Sequence, residues 1–214
     1  MATWDWQVFC KNTIDGEVMP RCFGGGGDIT YLDWMLSAWG WTLSVALLAL
    51  AVALGVGSLM GILRTTPSKW LVGIGNVWTE LFRNIPLLVQ IFLWYHVLPA
   101  LVPVLKDVPS FLLVVLGLGF FTSARIAEQV RAGIESLPRG QRHAGLAMGL
   151  TLAQTYRYVL LPRAFRIVIP PLTSESMNII KNSSVAFAVS IAELTMFAMQ
   201  AGEETSRNVE MYLA

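Results

Sequence analysis

Residues 140–162 read GQRHAGLAMGLTLAQTYRYVLLP, a basic, glycine-punctuated stretch set between strongly apolar segments. It is too polar for the hydrocarbon core and too apolar for a disordered tether. Gly140 and Gly149 bracket a turn or two of helix in which Ala144, Ala147 and Met148 offer small, soft apolar surface beside a polar rim of Arg142 and His143. A second amphipathic piece, QTYRYVLLPRAFR, follows. Such a helix pair either lies on lipid headgroups or receives another protein.

The rest of the chain supplies the membrane. Of 214 residues, 55% are hydrophobic and only 14% charged, with a mean hydropathy of +0.58, which places the chain among polytopic membrane proteins. A net charge of +1 argues against nucleic acid as a partner. Residues 34–63 carry no charge and are long enough to cross about 30 Å of hydrocarbon. Within them Gly57 and Gly61 form a GxxxG pair, expected to pack closely on another helix. A second apolar run, residues 77–98, contains Pro86 and is expected to be a kinked span. A third starts near Pro109 and continues in helical pattern through Arg125, Glu128 and Arg131 toward Pro138. A fourth, residues 167–194, carries Glu175 and Lys181 where length demands membrane.

Charge sets the orientation. Arg64 and Lys69 follow the first span, and residues 131–166 hold six arginines against one acid, Glu135, so both segments are expected in the cytoplasm. Lys11 and Arg21 face five acids before residue 34, and four acids face Arg207 from residue 193 on, so both ends are expected outside. The first 33 residues lack the basic start and short apolar core of a cleavable signal peptide and are expected in the mature protein, with Gly24 to Gly27 as a linker. Cys10 and Cys22 then face an oxidising compartment, and a bridge and two free thiols both remain open.

The opening stretch resembles the cytoplasmic signature of bacterial ATP-binding-cassette importer permeases: EAA, three residues, G, nine residues, I, one residue, LP. Ala144 and Gly145 stand at the two alanines, Gly149 at the glycine, Val159 at the isoleucine and Leu161-Pro162 at the end, while His143 replaces the glutamate. ELFRNIPLLVQIFLWYHVLP, EQVRAGIESLPRGQ and PPLTSESMNIIKNSS look like the polar amino-acid uptake permeases, and SARIAEQVR and FRNIPLLVQ most like the glutamate/aspartate group. The resemblance implies an all-α integral membrane protein with the type I, EAA-loop permease fold of an ABC importer. Four spans lie in this chain, and a fifth is expected beyond its C terminus. The expected divisions are a periplasmic segment 1–34, a transmembrane domain 35–194 with a coupling loop 138–163, and a periplasmic segment 195–214. The resemblance further implies two cytoplasmic ATPase subunits, a second permease subunit (identical or homologous), a periplasmic amino-acid-binding protein and residence in the bacterial inner membrane. Gln141, Arg142, His143, Ala144, Gly145, Met148 and Gly149 are the residues it assigns to ATPase coupling.

Chemistry of the chain's own is not expected. GxxxxGK[ST], HExxH and GxSxG are all missing, so ATP must be hydrolysed by a partner, and no cofactor, metal or catalytic residue is expected. An ion-gradient transporter or channel subunit would also carry charges in its spans, but it calls for internal repeats, and none is convincing. Charges at mid-membrane must pair, reach an interface or line a wet cavity. Arg125 and Glu128, three apart, either satisfy each other or read a substrate. Arg125 stands where many members of the resembled family carry a neutral or aromatic residue, and an arginine fork favours a substrate with a second carboxylate. Ser174, Asn178 and Lys181 recur at four and three residues as one polar stripe. The expected substrate site is therefore Arg125, Glu128, Ser174, Asn178 and Lys181, for glutamate or aspartate.

Overall fold

The computed structural model describes residues 4–24 and 28–214, and Gly25 to Gly27 of the expected linker lie outside the described residues. The described chain is helical and divides into two compact units, one made of the N-terminal stretch up to Val45 with Ser183–Ala214, the other of Ala46–Asn182. Helix α1, Tyr31–Leu63, runs through the boundary between them.

In the larger unit α5, Ser110–Glu135, is the central helix: α8, Leu161–Asn182, and α2, Lys69–Asn84, pack on it, and the glycines of α1 meet it closely. Along α1 the small side chains of Ala46, Ala49 and Ala53 are buried, whereas Leu43, Leu47, Leu48 and Leu59 are exposed on other faces. That inversion suits lipid, where leucine gains nothing by hiding and close backbone approach supplies the attraction. Gly57 and Gly61 complete the stripe: a Cβ at Gly57 would meet Ile126 Cβ at 2.7 Å, and one at Gly61 would meet Val130 Cβ at 2.7 Å. The GxxxG reading holds. Gly119 answers from α5, with Val52 Cβ 2.9 Å from where its own Cβ would stand.

The expected kink at Pro86 is present as a sharp break. Helix α2, Lys69–Asn84, and the run Leu87–Leu101 meet at 104°. The run comprises α3 (Leu87–Phe92), a π turn (Leu93–Val97) and α4 (Leu98–Leu101). Ile85 is extended and Pro86 follows, so the helical ladder cannot continue. Carbonyls freed by such a break cannot stay bare in an apolar medium. Gln90, 2% exposed, donates from Nε2 to Phe82 O (2.7 Å) and Ile85 O (2.9 Å). Trp78, Phe82, Trp94 and Phe120 pack ring against ring across the bend, and Trp78 Nε1 donates to Ser123 Oγ at 3.0 Å.

Beyond α5 come α6 (Arg139–Ala147), α7 (Leu152–Thr155), a π turn (Tyr156–Leu160) and α8 (Leu161–Asn182). A 3-10 segment, Ser183–Val189, follows in the other unit, then α9 (Leu194–Thr205) and α10 (Asn208–Leu213). The fourth apolar element therefore starts earlier than residue 167, and its helix ends before residue 194. Two described helices, α1 and α5, are long and apolar enough to cross a membrane alone, and the number is four if each bent pair is one span.

In the smaller unit, a Cys10–Cys22 disulfide closes the N-terminal loop, so the bridge is the alternative adopted. Val8 and Phe9 join Tyr31, Ala38, Phe197, Ala201 and Met211 in a core of their own. Asp33 Oδ2 ties the loop to α1 by accepting from Gly24 N (2.7 Å), Thr30 N (3.1 Å) and Thr30 Oγ1 (2.8 Å).

Candidate functional site

Two places in the larger unit carry polar chemistry. At the first, α6 ends in a left-handed turn at Gly149, whose φ is +81°. Leu150 N bonds Gly145 O (3.2 Å) and Gly149 N bonds Leu146 O (3.0 Å), so the last carbonyls of the helix are satisfied by the turn. Thr151 then caps α7 reciprocally with Gln154, at 2.8 and 3.3 Å. A Cβ at Gly145 would strike Thr155 Cγ2 at 2.7 Å, which keeps the second alanine position of the motif small in this chain. The outcome is a stiff helix–turn–helix. Ala144, Ala147 and Met148 are exposed on it, Met148 at 73%, together with His143. Gln141 and Arg142 are half-buried, and Arg142 borders a cavity of about 400 Å³ with Arg64, Glu135 and Tyr156. The Tyr156 hydroxyl donates to Thr65 O at 2.6 Å, pinning the π turn to the end of α1.

The second place lies where α2, α5 and α8 meet, around a cavity of about 380 Å³ bordered by Arg83, Phe121, Arg125, Glu128, Gln129 and Glu175. Arg125 and Glu128 do not pair with each other here. Arg125 Nε donates to Glu175 on α8, 3.1 Å from Oε2 and 3.2 Å from Oε1, and Gln129 Nε2 donates to the same Oε1 at 3.3 Å. Glu128 Oε1 instead receives Arg64 (3.0 Å) and Arg83 (3.1 Å). Arg64 is itself buried and also donates to Asn76 Oδ1 at 2.8 Å, so this acid clamps α1, α2 and α5 together. Of the expected polar stripe, Ser174 and Lys181 are exposed and Asn178 is half-buried, and none of the three borders this cavity.

Residues 53–209 match the family model described as the inner membrane component of binding-protein-dependent transport systems. The chain belongs to this permease family. It is 45% identical over 210 residues to the glutamate/aspartate import permease protein GltJ of Escherichia coli K12, covering 94% of this chain and 80% of that one. It is 36% identical to the probable glutamine ABC transporter permease protein GlnM of Bacillus subtilis, over 80% of this chain and 78% of that one. Among solved structures, a chain from an amino acid ABC transporter crystallised with histidines superposes with a TM-score of 0.74 at 30% identity, covering 86% and 84% of the two chains. The permease is thus an amino-acid ABC importer subunit of the inner membrane with the helical type I fold. Its sequence pointed to Arg125 and Glu128 but missed Glu175 as the partner of the first, and Arg64 and Arg83 as the partners of the second. Glu175 was visible only as an isolated acid in an apolar run, and nothing local linked it to an arginine 50 residues away.

Proposed function

We propose that this permease passes glutamate or aspartate from a periplasmic binding protein to the cytoplasm, driven by two ATPase subunits that seat on the α6 turn. A second permease subunit, identical or homologous, completes the pathway, and the N terminus faces the periplasm. The observation that carries the substrate is Arg125, a guanidinium on a membrane helix that is 45% exposed and borders a cavity. A permanent cation there favours a ligand with a carboxylate to spare. The likeness to a glutamate/aspartate permease supports the same choice. The exposed Ala144, Ala147 and Met148 support docking at α6.

The test is uptake into vesicles holding the whole transporter, with the binding protein outside and ATP within. Glutamate accumulation is expected to require ATP and to vanish in Arg125→Ala, with glutamine losing less. Accumulation driven by a proton or sodium gradient without ATP would sink the reading. Equal losses for glutamate and glutamine in Arg125→Ala would return Arg125 to a structural role.

A further inference from the structure

The Arg125 cavity holds more than a cation. Both oxygens of Glu175 address the same nitrogen of Arg125, Nε, at 3.1 and 3.2 Å, which leaves the terminal Nη1–Nη2 fork outside this pair. Glu175 is nearly sealed, its side chain 7% exposed, whereas that of Arg125 is 45% exposed. Glu175 also takes the amide Nε2 of Gln129, and Gln129 Oε1 is then buried with no hydrogen-bond partner among the described residues. An orphaned amide oxygen beside a cavity is a vacancy for a donor. One buried carboxylate therefore fixes two neighbours on α5 in complementary poses: a fork of donors from Arg125 and a single acceptor from Gln129.

We infer that Gln129 is a substrate-binding residue and Glu175 a positioning residue. Arg125 takes a carboxylate of the amino acid on its terminal fork, Gln129 Oε1 accepts from the α-ammonium, and Glu175 holds both in place without touching the ligand. The inference rests on the acidic-substrate reading above and adds the half of the zwitterion that an arginine cannot recognise. It also accounts for an acid at the edge of an anion site: both oxygens of Glu175, on α8, are engaged by Arg125 Nε and Gln129 Nε2.

The test is equilibrium binding to the purified, assembled transporter, with two probes, glutamate and glutarate, the second lacking the ammonium. Glu175→Leu is expected to weaken glutamate binding about tenfold, the equivalent of one hydrogen bond to a charged group. Glu175→Gln is expected to recover part of that loss, because an amide oxygen at the Oε1 place still accepts from Arg125 Nε and Gln129 Nε2, whereas an amide nitrogen at the Oε2 place cannot accept from Arg125. Gln129→Leu should weaken glutamate and leave glutarate unchanged. Loss of glutamate but not of glutarate binding in Glu175→Gln would mean that the carboxylate itself meets the ammonium, and would overturn the positioning role. Equal loss of glutamate and glutarate in Gln129→Leu would overturn the ammonium contact. If Arg125→Ala binds glutamate as the parent does, the acidic-substrate reading itself fails. If Arg125→Ala weakens binding while Glu175→Leu does not, this inference alone falls. Should Glu175→Leu fail to assemble, Glu175→Gln and the two-probe comparison in Gln129→Leu still decide.

Discussion

Gly149 shows how much a single backbone angle carries. At φ +81° any other residue pays about 1–2 kcal/mol for the left-handed conformation, although a Cβ there would meet nothing within 4 Å. The constraint is conformational and not steric within this chain. Gly149→Ala is therefore expected to loosen the turn mildly, while Gly149→Arg also plants a charged side chain on the face proposed for the ATPase. We expect Gly149→Arg to insert normally yet lose substrate-stimulated ATP hydrolysis and uptake together. Both persisting would refute coupling through α6. Glutamate at position 143, where this chain carries an exposed histidine, should by contrast change transport little. Gln90 is the opposite case, a residue whose amide nitrogen serves two carbonyls while its own buried Oε1 has no partner among the described residues. Gln90→Leu would strip two carbonyls of their donor, a loss of about 2–3 kcal/mol, and should lower the thermal midpoint of the purified protein by roughly 4–12 °C.

At the scale of elements, the packing of α1 on α5 depends on what the glycines leave out. A side chain at Gly57 would collide with backbone as well as side chain, Ser123 O at 2.7 Å and Ile126 Cβ at 2.7 Å, so neither helix can give locally. Gly57→Val is expected to force the pair apart and sharply reduce the yield of assembled transporter, whereas Gly55→Val, with nothing within 4 Å, should be tolerated. The N-terminal loop is held differently, by a bridge spanning 12 residues. In the chain-entropy account such a bridge stabilises by about 2–3 kcal/mol. Thiol titration of unreduced protein should find no free cysteine, and Cys10→Ser with Cys22→Ser should make residues 4–24 the first segment lost to limited proteolysis.

For the molecule as a whole, the proposed orientation makes a direct labelling prediction. A cysteine placed at Met148, exposed on α6, should react with a membrane-impermeant thiol reagent only from the cytoplasmic side, and bound ATPase subunits should protect it. One placed at Ile14, 82% exposed in the N-terminal loop, should react from the opposite side. Labelling of both positions from one side would contradict the arrangement drawn from the positive charges of residues 131–166. Arg64 belongs to this scale too, because it joins three helices through Glu128, Asn76 and Thr79. With Glu128 35% exposed, water offsets part of the loss, and Arg64→Leu is expected to cost about 2 kcal/mol, between the values for an exposed and a fully buried ion pair.

What could be read from the sequence is what depends on neighbours along the chain. The uninterrupted apolar run of α1, the small-residue spacing of Gly57 and Gly61, the turn after α6 with its glycine at 149, and the break at Pro86 are local, set by side-chain volume, hydropathy and allowed φ within a few residues. The polar geometry is not local. Arg125 meets Glu175 across 50 positions, Tyr156 meets Thr65 across 91, and Glu128, three residues from Arg125 and seemingly its natural mate, turns to Arg64 and Arg83 instead. On one helix, spacing says only which side chains share a face. Which partner each takes depends on the rotation and depth at which α2, α5 and α8 pack, and that is settled by close contacts such as Gly57 on Ile126 and Gly133 on Val168. The sequence alone therefore determined a helical membrane permease with an arginine in its spans, and tertiary packing decided that a buried glutamate, invisible as a partner, holds that arginine.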